Sequence, residues 1–147
     1  MSERKSGFVF EEMYLWHDAS SAAFPLEPGY HFENPDTKRR FRNLLAVSGL
    51  LDRLHPIKAT PATEDDLARL HSRAYIKQIE RMSSERGGDA GEYTPFGPGS
   101  YEIALLSAGG VMRAVEAVAT GTVSNAYALV RPPGHRGDQR LPRRRGS

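Results

Sequence analysis

The chain has 147 residues, of which 39% are hydrophobic and 26% charged, and it contains no cysteine. This length suits one domain, and the lack of cysteine excludes a disulfide framework and thiolate metal ligands. The net charge is +2, but residues 136–147 contribute +4, so the remainder is mildly acidic and the basic pI of about 9.0 does not by itself indicate nucleic-acid binding.

The first part of the chain predicts a strand and then a long loop. The N-terminus has charges but no apolar core after them, so no signal peptide is visible, and no apolar run approaches the ~18 residues that span a bilayer. We therefore expect a cytoplasmic location and no membrane partner. Residues 7–15 mix aromatic, branched and polar side chains and predict an opening strand. Residues 22–32 combine three aromatics with turn formers, which predicts an irregular loop of a kind that is often functional.

The middle of the chain predicts helices with clear start signals. Asn34 followed by Pro35 is a good helix start, and Gly49 should interrupt or cap that helix. Residues 55–59 are expected to form a short strand. Thr63 and Asp66 have the spacing of a capping box, and a further helix should run over residues 72–82.

The last third predicts a loop, a long helix and a buried strand. Residues 86–100 contain five glycines and two prolines, which predicts a surface loop. Residues 101–119 have apolar side chains at helical spacing and few charges, so this helix should be buried on most sides. Gly109 and Gly110 would let another element approach its backbone. Residues 126–130 then form a short, almost wholly apolar strand.

These elements predict an α/β fold. Three short strands alternate with helices, and a continuous apolar strand after a long helix favours a parallel sheet covered on both faces. Three strands are too few to complete such a sheet.

The Arg-Pro-Pro-Gly-His stretch at residues 131–135 carries the strongest functional signal. Two prolines fix successive φ angles and Gly134 relieves steric limits before His135. The stretch follows an apolar strand, where ligands bind in open α/β sheets, and a histidine there could transfer protons near neutral pH. The alternative is a strand-to-loop turn with an incidental exposed histidine.

Several weaker patterns have plain structural alternatives. His31-Phe32-Glu33 and His17-Asp18 contain metal-ligand types, but capping or loop hydrogen bonding explains them as well. Asp89 and Glu92 could bind a cationic substrate at the rim of a site, or be solvated loop acids. Three arginines near the C-terminus could bind phosphates, but no aromatics interleave them, so we expect no specific nucleic-acid partner.

The chain resembles the zinc-dependent histone deacetylases and related amidohydrolases. The similar segments are GFVFEEMYLWHD, NPDTKRRFRNLLAVSGLL, ATPATEDDLARLHSRAYI, GGDAGEYTPFGPGSYEIALLSAGGVMRAVEAV and AYALVRPPGH, and they occur in the family's order. The likeness is greatest to the bacterial class II deacetylase-like amidohydrolases, which include the acetylpolyamine amidohydrolases. It runs from about residue 7 to residue 135.

The resemblance implies the arginase-like α/β fold around a parallel eight-stranded sheet, of which this chain would hold the N-terminal part. It also implies hydrolysis of an acetamide on lysine or a polyamine. In the family, a zinc ion held by two aspartates and a histidine polarises the acetyl carbonyl and activates water. A histidine pair transfers protons and a tyrosine stabilises the oxyanion.

Three residues match functional positions of the family. His135 matches the first histidine of the pair, Arg40 an arginine of the first helix near an internal channel, and Asp89 a rim acid that holds the substrate. Arg136 stands where the second histidine is expected, and an arginine stays protonated and cannot act as a general base. No Asp-x-His zinc motif occurs in these 147 residues.

We therefore expect residues 1–135 to be the N-terminal part of a deacetylase-like domain, inactive as given and binding no zinc by itself, followed by a basic, disordered tail over residues 136–147. An out-of-frame read would explain that tail. The alternative is a non-catalytic binding or regulatory fragment that acts through the tail. A different hydrolase using His135 with a carboxylate of this chain is a third possibility.

Overall fold

The computed structural model describes residues 5–19, 33–91 and 94–134. The predicted loop over residues 22–32 and the tail over residues 136–147 lie outside them, as do His31, Glu92, His135 and Arg136.

The main sheet has three parallel strands in the order β2–β1–β5. These are β1 (Ser6–Val9), β2 (His55–Ile57) and β5 (Asn125–Ala128). Val9 lies opposite Ile57 on one side and opposite Ala128 on the other. The predicted α/β class with a parallel sheet is confirmed.

Helices lie between the strands along the chain. They are α1 (Asp36–Val47), α2 (Glu64–Leu67), α3 (Arg73–Ser84) and α4 (Ser100–Ala119), with short 3-10 turns at Glu12–Trp16 and Leu51–Arg53. On one face of the sheet α4 packs against β1, β2 and β5. Towards the other face, Phe41 of α1 stacks on Tyr127 of β5 with ring centroids 5.6 Å apart.

The predicted capping box is confirmed, whereas α1 begins one residue later than predicted, at Asp36 with Pro35 as its N-cap. The Asn34 side chain accepts a hydrogen bond from the Asp36 N–H at 3.0 Å. Thr63 and Asp66 form the reciprocal capping box, which satisfies backbone donors that the first helical turn leaves open. Gly49 follows α1 with φ +72°, a left-handed conformation that glycine adopts without steric cost.

The strand predicted over residues 7–15 is too long. It ends at Val9, and the 3-10 turn at Glu12–Trp16 takes its place. The Tyr14 N–H donates to the Glu11 carbonyl at 3.1 Å, and the Glu11 carboxylate accepts the Ala59 N–H at 3.0 Å. These bonds turn the chain away from the sheet and bring Tyr14 into the core, where its hydroxyl donates to the Leu106 carbonyl.

The surface loop predicted over residues 86–100 contains a small hairpin. The two strands β3 (Gly88–Asp89) and β4 (Pro95–Phe96) pair antiparallel. Phe96 is buried, so this apolar side chain ties the segment to the body of the domain. The glycine and proline content predicted the turns correctly but hid the two-residue strands between them.

The long helix α4 is packed closely at its two glycines, as predicted. A Cβ added at Gly109 would stand 1.7 Å from the Thr60 carbonyl oxygen, and one added at Gly110 would stand 2.5 Å from the Tyr14 hydroxyl. The expectation that α4 is buried on most sides is wrong for one stripe. Its exposed apolar residues are Val111, Met112, Val115 and Val118. Low charge predicted burial there, but no described element covers this stripe.

Candidate functional site

The candidate site lies at the carboxyl edge of the sheet. Strands β1 and β5 are parallel neighbours, so the segments that follow them emerge at the same edge. The Leu129 N–H donates to the Val9 carbonyl at 2.9 Å, which extends the pairing by one step. Ligands of open α/β sheets bind at such an edge, and the chain places Arg131, Pro132, Pro133 and Gly134 there.

Arg131 is the most buried charged residue of this edge, with only 1% of its surface exposed. Its Nε donates to both carboxylate oxygens of Glu33, at 2.9 and 3.1 Å. Its Nη2 donates to the Glu33 carbonyl at 2.9 Å, and its Nη1 donates to the carbonyls of His17 and Tyr14. A buried guanidinium is tolerated because its charge is paired and its donors are occupied.

A cavity of about 1000 Å³ opens beside this turn. Pro132, Pro133 and Gly134 line it on one side. The other walls are mainly apolar side chains of α3, α4 and the hairpin, including Ile76, Ile79, Phe96, Ala104, Ala108 and Met112. Its mainly apolar lining is typical of a site for the apolar part of a small molecule.

Two residues of the cavity lining carry a buried polar atom. His71 Nδ1 and Ser100 Oγ are buried and have no hydrogen-bond partner among the described residues, and both residues line the cavity. Nearby, Tyr75 donates its hydroxyl to the Ala90 carbonyl at 2.8 Å. Burial, followed by the negative charge of Glu80, raises the pKa of the Tyr101 phenol, so this cavity residue keeps its proton to a higher pH than an exposed tyrosine would.

Two of the residues that the resemblance singled out fall within the described part. Arg40 is exposed on α1 and is not among the described residues that line the cavity. Asp89 is exposed in β3, where one carboxylate oxygen accepts the N–H groups of Gly91 at 2.8 Å and Thr94 at 3.0 Å. These bonds close the hairpin turn and leave a rim role for the second oxygen open. The predicted roles of His135, Arg40 and Asp89 stay predictions.

The residues noted as metal-ligand fragments have other contacts. Glu33 pairs with Arg131, the His17 carbonyl accepts from the same guanidinium, and the Asp18 carbonyl accepts the Gly97 N–H at 2.8 Å. Within residues 5–19, 33–91 and 94–134, no three histidine or carboxylate side chains gather as a metal site. These residues do not fit the zinc that the resemblance implies, so any zinc site would draw on residues outside this part.

The pairing of Arg131 with Glu33 was not predicted from the sequence. The two residues are 98 positions apart, and no local pattern connects them. The available signal was an arginine directly after an apolar strand, because such a charge is tolerated inside a protein only when a carboxylate or several carbonyls meet it.

Among the helices of residues 5–19, 33–91 and 94–134, none is long and apolar enough to cross a bilayer.

Comparison with known proteins identifies similar chains. The histone deacetylase domain family matches residues 31–142. The chain is 45% identical over 141 residues to a histone deacetylase-like amidohydrolase of Pseudomonas aeruginosa, covering 90% of this chain and 37% of the relative. It is 32% identical over 133 residues to the human polyamine deacetylase HDAC10, covering 85% of this chain and 20% of that one.

A solved structure, the crystal structure of the HDA15 HD domain, matches with a TM-score of 0.80 at 29% identity. The match covers 90% of this chain and 37% of that domain. The chain therefore has the α/β fold of this HD domain over the part they share. It spans only 37% and 20% of the two curated relatives named above.

Proposed function

The chain belongs to the histone deacetylase family, and from that premise we propose that it forms the N-terminal part of an amidohydrolase site that cleaves acetamides of lysine or polyamines. The observation that carries this proposal is the Arg131–Gly134 turn. It lies inside the matched region, at the carboxyl edge of the sheet, held by a buried guanidinium beside a cavity of about 1000 Å³.

In this proposal His135 follows the turn as the proton-transfer residue. A histidine suits that role because its ordinary pKa lies near neutrality. Asp89 would hold a cationic substrate at the rim, since its carboxylate is exposed and the hairpin bonds use one of its oxygens. The polyamine substrate class is supported by the name of the human relative.

We also propose that residues 1–147 alone do not hydrolyse acetamides. Arg136 cannot replace a general-base histidine, because a guanidinium remains protonated. The described residues do not assemble a metal site. The test is to incubate the purified chain with zinc and either acetyl-lysine peptide or acetylspermidine. We expect no release of acetate above the rate without protein. Zinc-dependent turnover by this chain would contradict the proposal.

A chimera tests the catalytic part of the proposal. Residues 1–135 would replace the matching segment of the Pseudomonas aeruginosa relative, followed by that relative's own sequence. We expect zinc-dependent acetamide hydrolysis, because 45% identity should preserve the packing between the two parts. The unaltered relative is the positive control. A chimera that folds and binds zinc but releases no acetate would contradict a deacetylase-like role for these residues.

The alternative is a non-catalytic binding fragment that acts through the basic residues of the tail. Binding to an acidic partner would then fall as salt rises and would be lost when residues 136–147 are deleted. Tight binding that survives this deletion would contradict the alternative.

A further inference from the structure

The guanidinium of Arg131 connects three segments that are distant in the chain. It bonds to the carbonyls of Tyr14 and His17 after β1, to Glu33 before α1, and it belongs itself to the segment after β5. All three of its nitrogens donate. The buried side chain therefore joins the segments that meet at the carboxyl edge of the sheet.

We propose that Arg131 is a positioning residue of the candidate site, acting as a carbonyl clamp that fixes the Pro132–Gly134 turn against the segments after β1 and before α1. The clamp acts through the turn on His135, the next residue. This inference rests on the proposed function only for the role of His135. The clamp itself consists of hydrogen bonds that Arg131 makes to other described residues.

Geometry favours a clamp over a simple ion pair. Glu33 neutralises the charge through its carboxylate, but three backbone carbonyls take the remaining bonds. A lysine could keep the ion pair with Glu33, but it lacks the planar fork of a guanidinium. Its single ammonium cannot bond at once to the Glu33 carboxylate, the Glu33 carbonyl and the Tyr14 and His17 carbonyls after β1. Lys38 also lies 3.6 Å from the Glu33 carboxylate, so a second cation would partly compensate the charge if Arg131 were lost.

The unaltered chain allows a direct test by NMR. The Nη–H groups of Arg131 should exchange with solvent about tenfold or more slowly than those of the exposed Arg53, because they are buried and donate to backbone carbonyls rather than to the Glu33 carboxylate. A rate equal to that of Arg53 would overturn the clamp.

Spin labels test whether the clamp positions the turn. The chain has no cysteine, so Asn43→Cys on α1 and Gly134→Cys in the turn give two unique labels. A side chain fits at residue 134 because an added Cβ meets no atom within 4 Å. We expect a narrow distance distribution in the labelled parent, a broadened one with Arg131→Lys, and a narrow one with Glu33→Gln, which keeps every carbonyl acceptor.

These outcomes distinguish a carbonyl clamp from a simple ion pair. A distribution as narrow with Arg131→Lys as in the parent would show that an ion pair suffices and would overturn the clamp. If Arg131→Lys does not fold, the exchange rate in the unaltered chain decides. Neither measurement depends on catalysis. An inactive chimera would therefore contradict the proposed function but not the clamp, and a mobile turn would contradict the clamp but not the proposed function.

Discussion

Because α4 lies very close to the segment after β2, adding one methyl group at Gly109 should lower the free energy of unfolding measurably. In Gly109→Ala, the added Cβ would lie 1.7 Å from the Thr60 carbonyl oxygen, 2.7 Å from the Ala62 nitrogen and 2.9 Å from the Pro61 carbonyl carbon. All three neighbours are backbone atoms, so no side chain can rotate away. The helix and this segment must separate by about 1.7 Å or more to restore ordinary contact.

That separation has an energetic cost that can be estimated. Overpacking costs about 1–3 kcal/mol. The bond from the Ala62 N–H to the Leu105 carbonyl, 2.9 Å long, would stretch and lose about 1 kcal/mol. Replacing glycine by alanine inside a helix returns about 1 kcal/mol. The expected net loss in the free energy of unfolding is therefore about 1–3 kcal/mol.

Urea unfolding followed by far-UV circular dichroism measures this loss. The matched control is Val115→Ala, on the exposed stripe of the same helix, which should change the free energy of unfolding by less than about 0.5 kcal/mol. An unfolding midpoint for Gly109→Ala equal to or above that of the parent would show that α4 does not pack closely on residues 60–62.

Two further substitutions test the surroundings of the cavity and the core. Ser83 is buried, and its Oγ accepts the Tyr101 N–H at 2.9 Å at the start of α4. Ser83→Ala should therefore lower the free energy of unfolding, measured in urea, by about 1–2 kcal/mol, whereas the exposed Ser84→Ala should lower it much less. Equal losses for the two variants would contradict the role of Ser83 in capping α4. Burial, and then the charge of Glu11, raises the pKa of the Tyr14 phenol. Below pH 10 the phenol is neutral in both states, but above pH 10 it ionises only when unfolded, so the parent should lose stability as pH rises there. Tyr14→Phe should show a smaller loss between pH 8 and pH 10.5, and an unchanged pH profile would contradict the burial of the hydroxyl.

The parts of the fold that the sequence predicted best depend on local chemistry. The bond from the Asp36 N–H to Asn34, the capping box of Thr63 and Asp66, and the glycine at residue 49 each act within a few residues, so their patterns can be read directly. The long helix was predicted because its apolar spacing repeats over five turns. Gly109 was recognised as a contact point, although its partner at residue 60 was not.

The parts that were missed depend on contacts between distant segments. The end of β1 is set by Glu11 bonding to Ala59, and the site edge is set by Arg131 meeting Glu33. No periodicity encodes such pairs. The exposed stripe of α4 was mispredicted for the same reason, because an apolar sequence shows that a surface can be buried but not which element covers it.

We propose that residues 1–135 build the N-terminal side of a deacetylase-type site ending in His135. The most direct test is the rate of zinc-dependent acetate release by the chimera with His135→Ala, compared with the chimera carrying His55→Gln in β2 as a control. We expect a loss of kcat of about 10²–10⁴-fold for His135→Ala and little change for His55→Gln. Equal kcat values for the His135→Ala chimera and its parent would contradict this proposal.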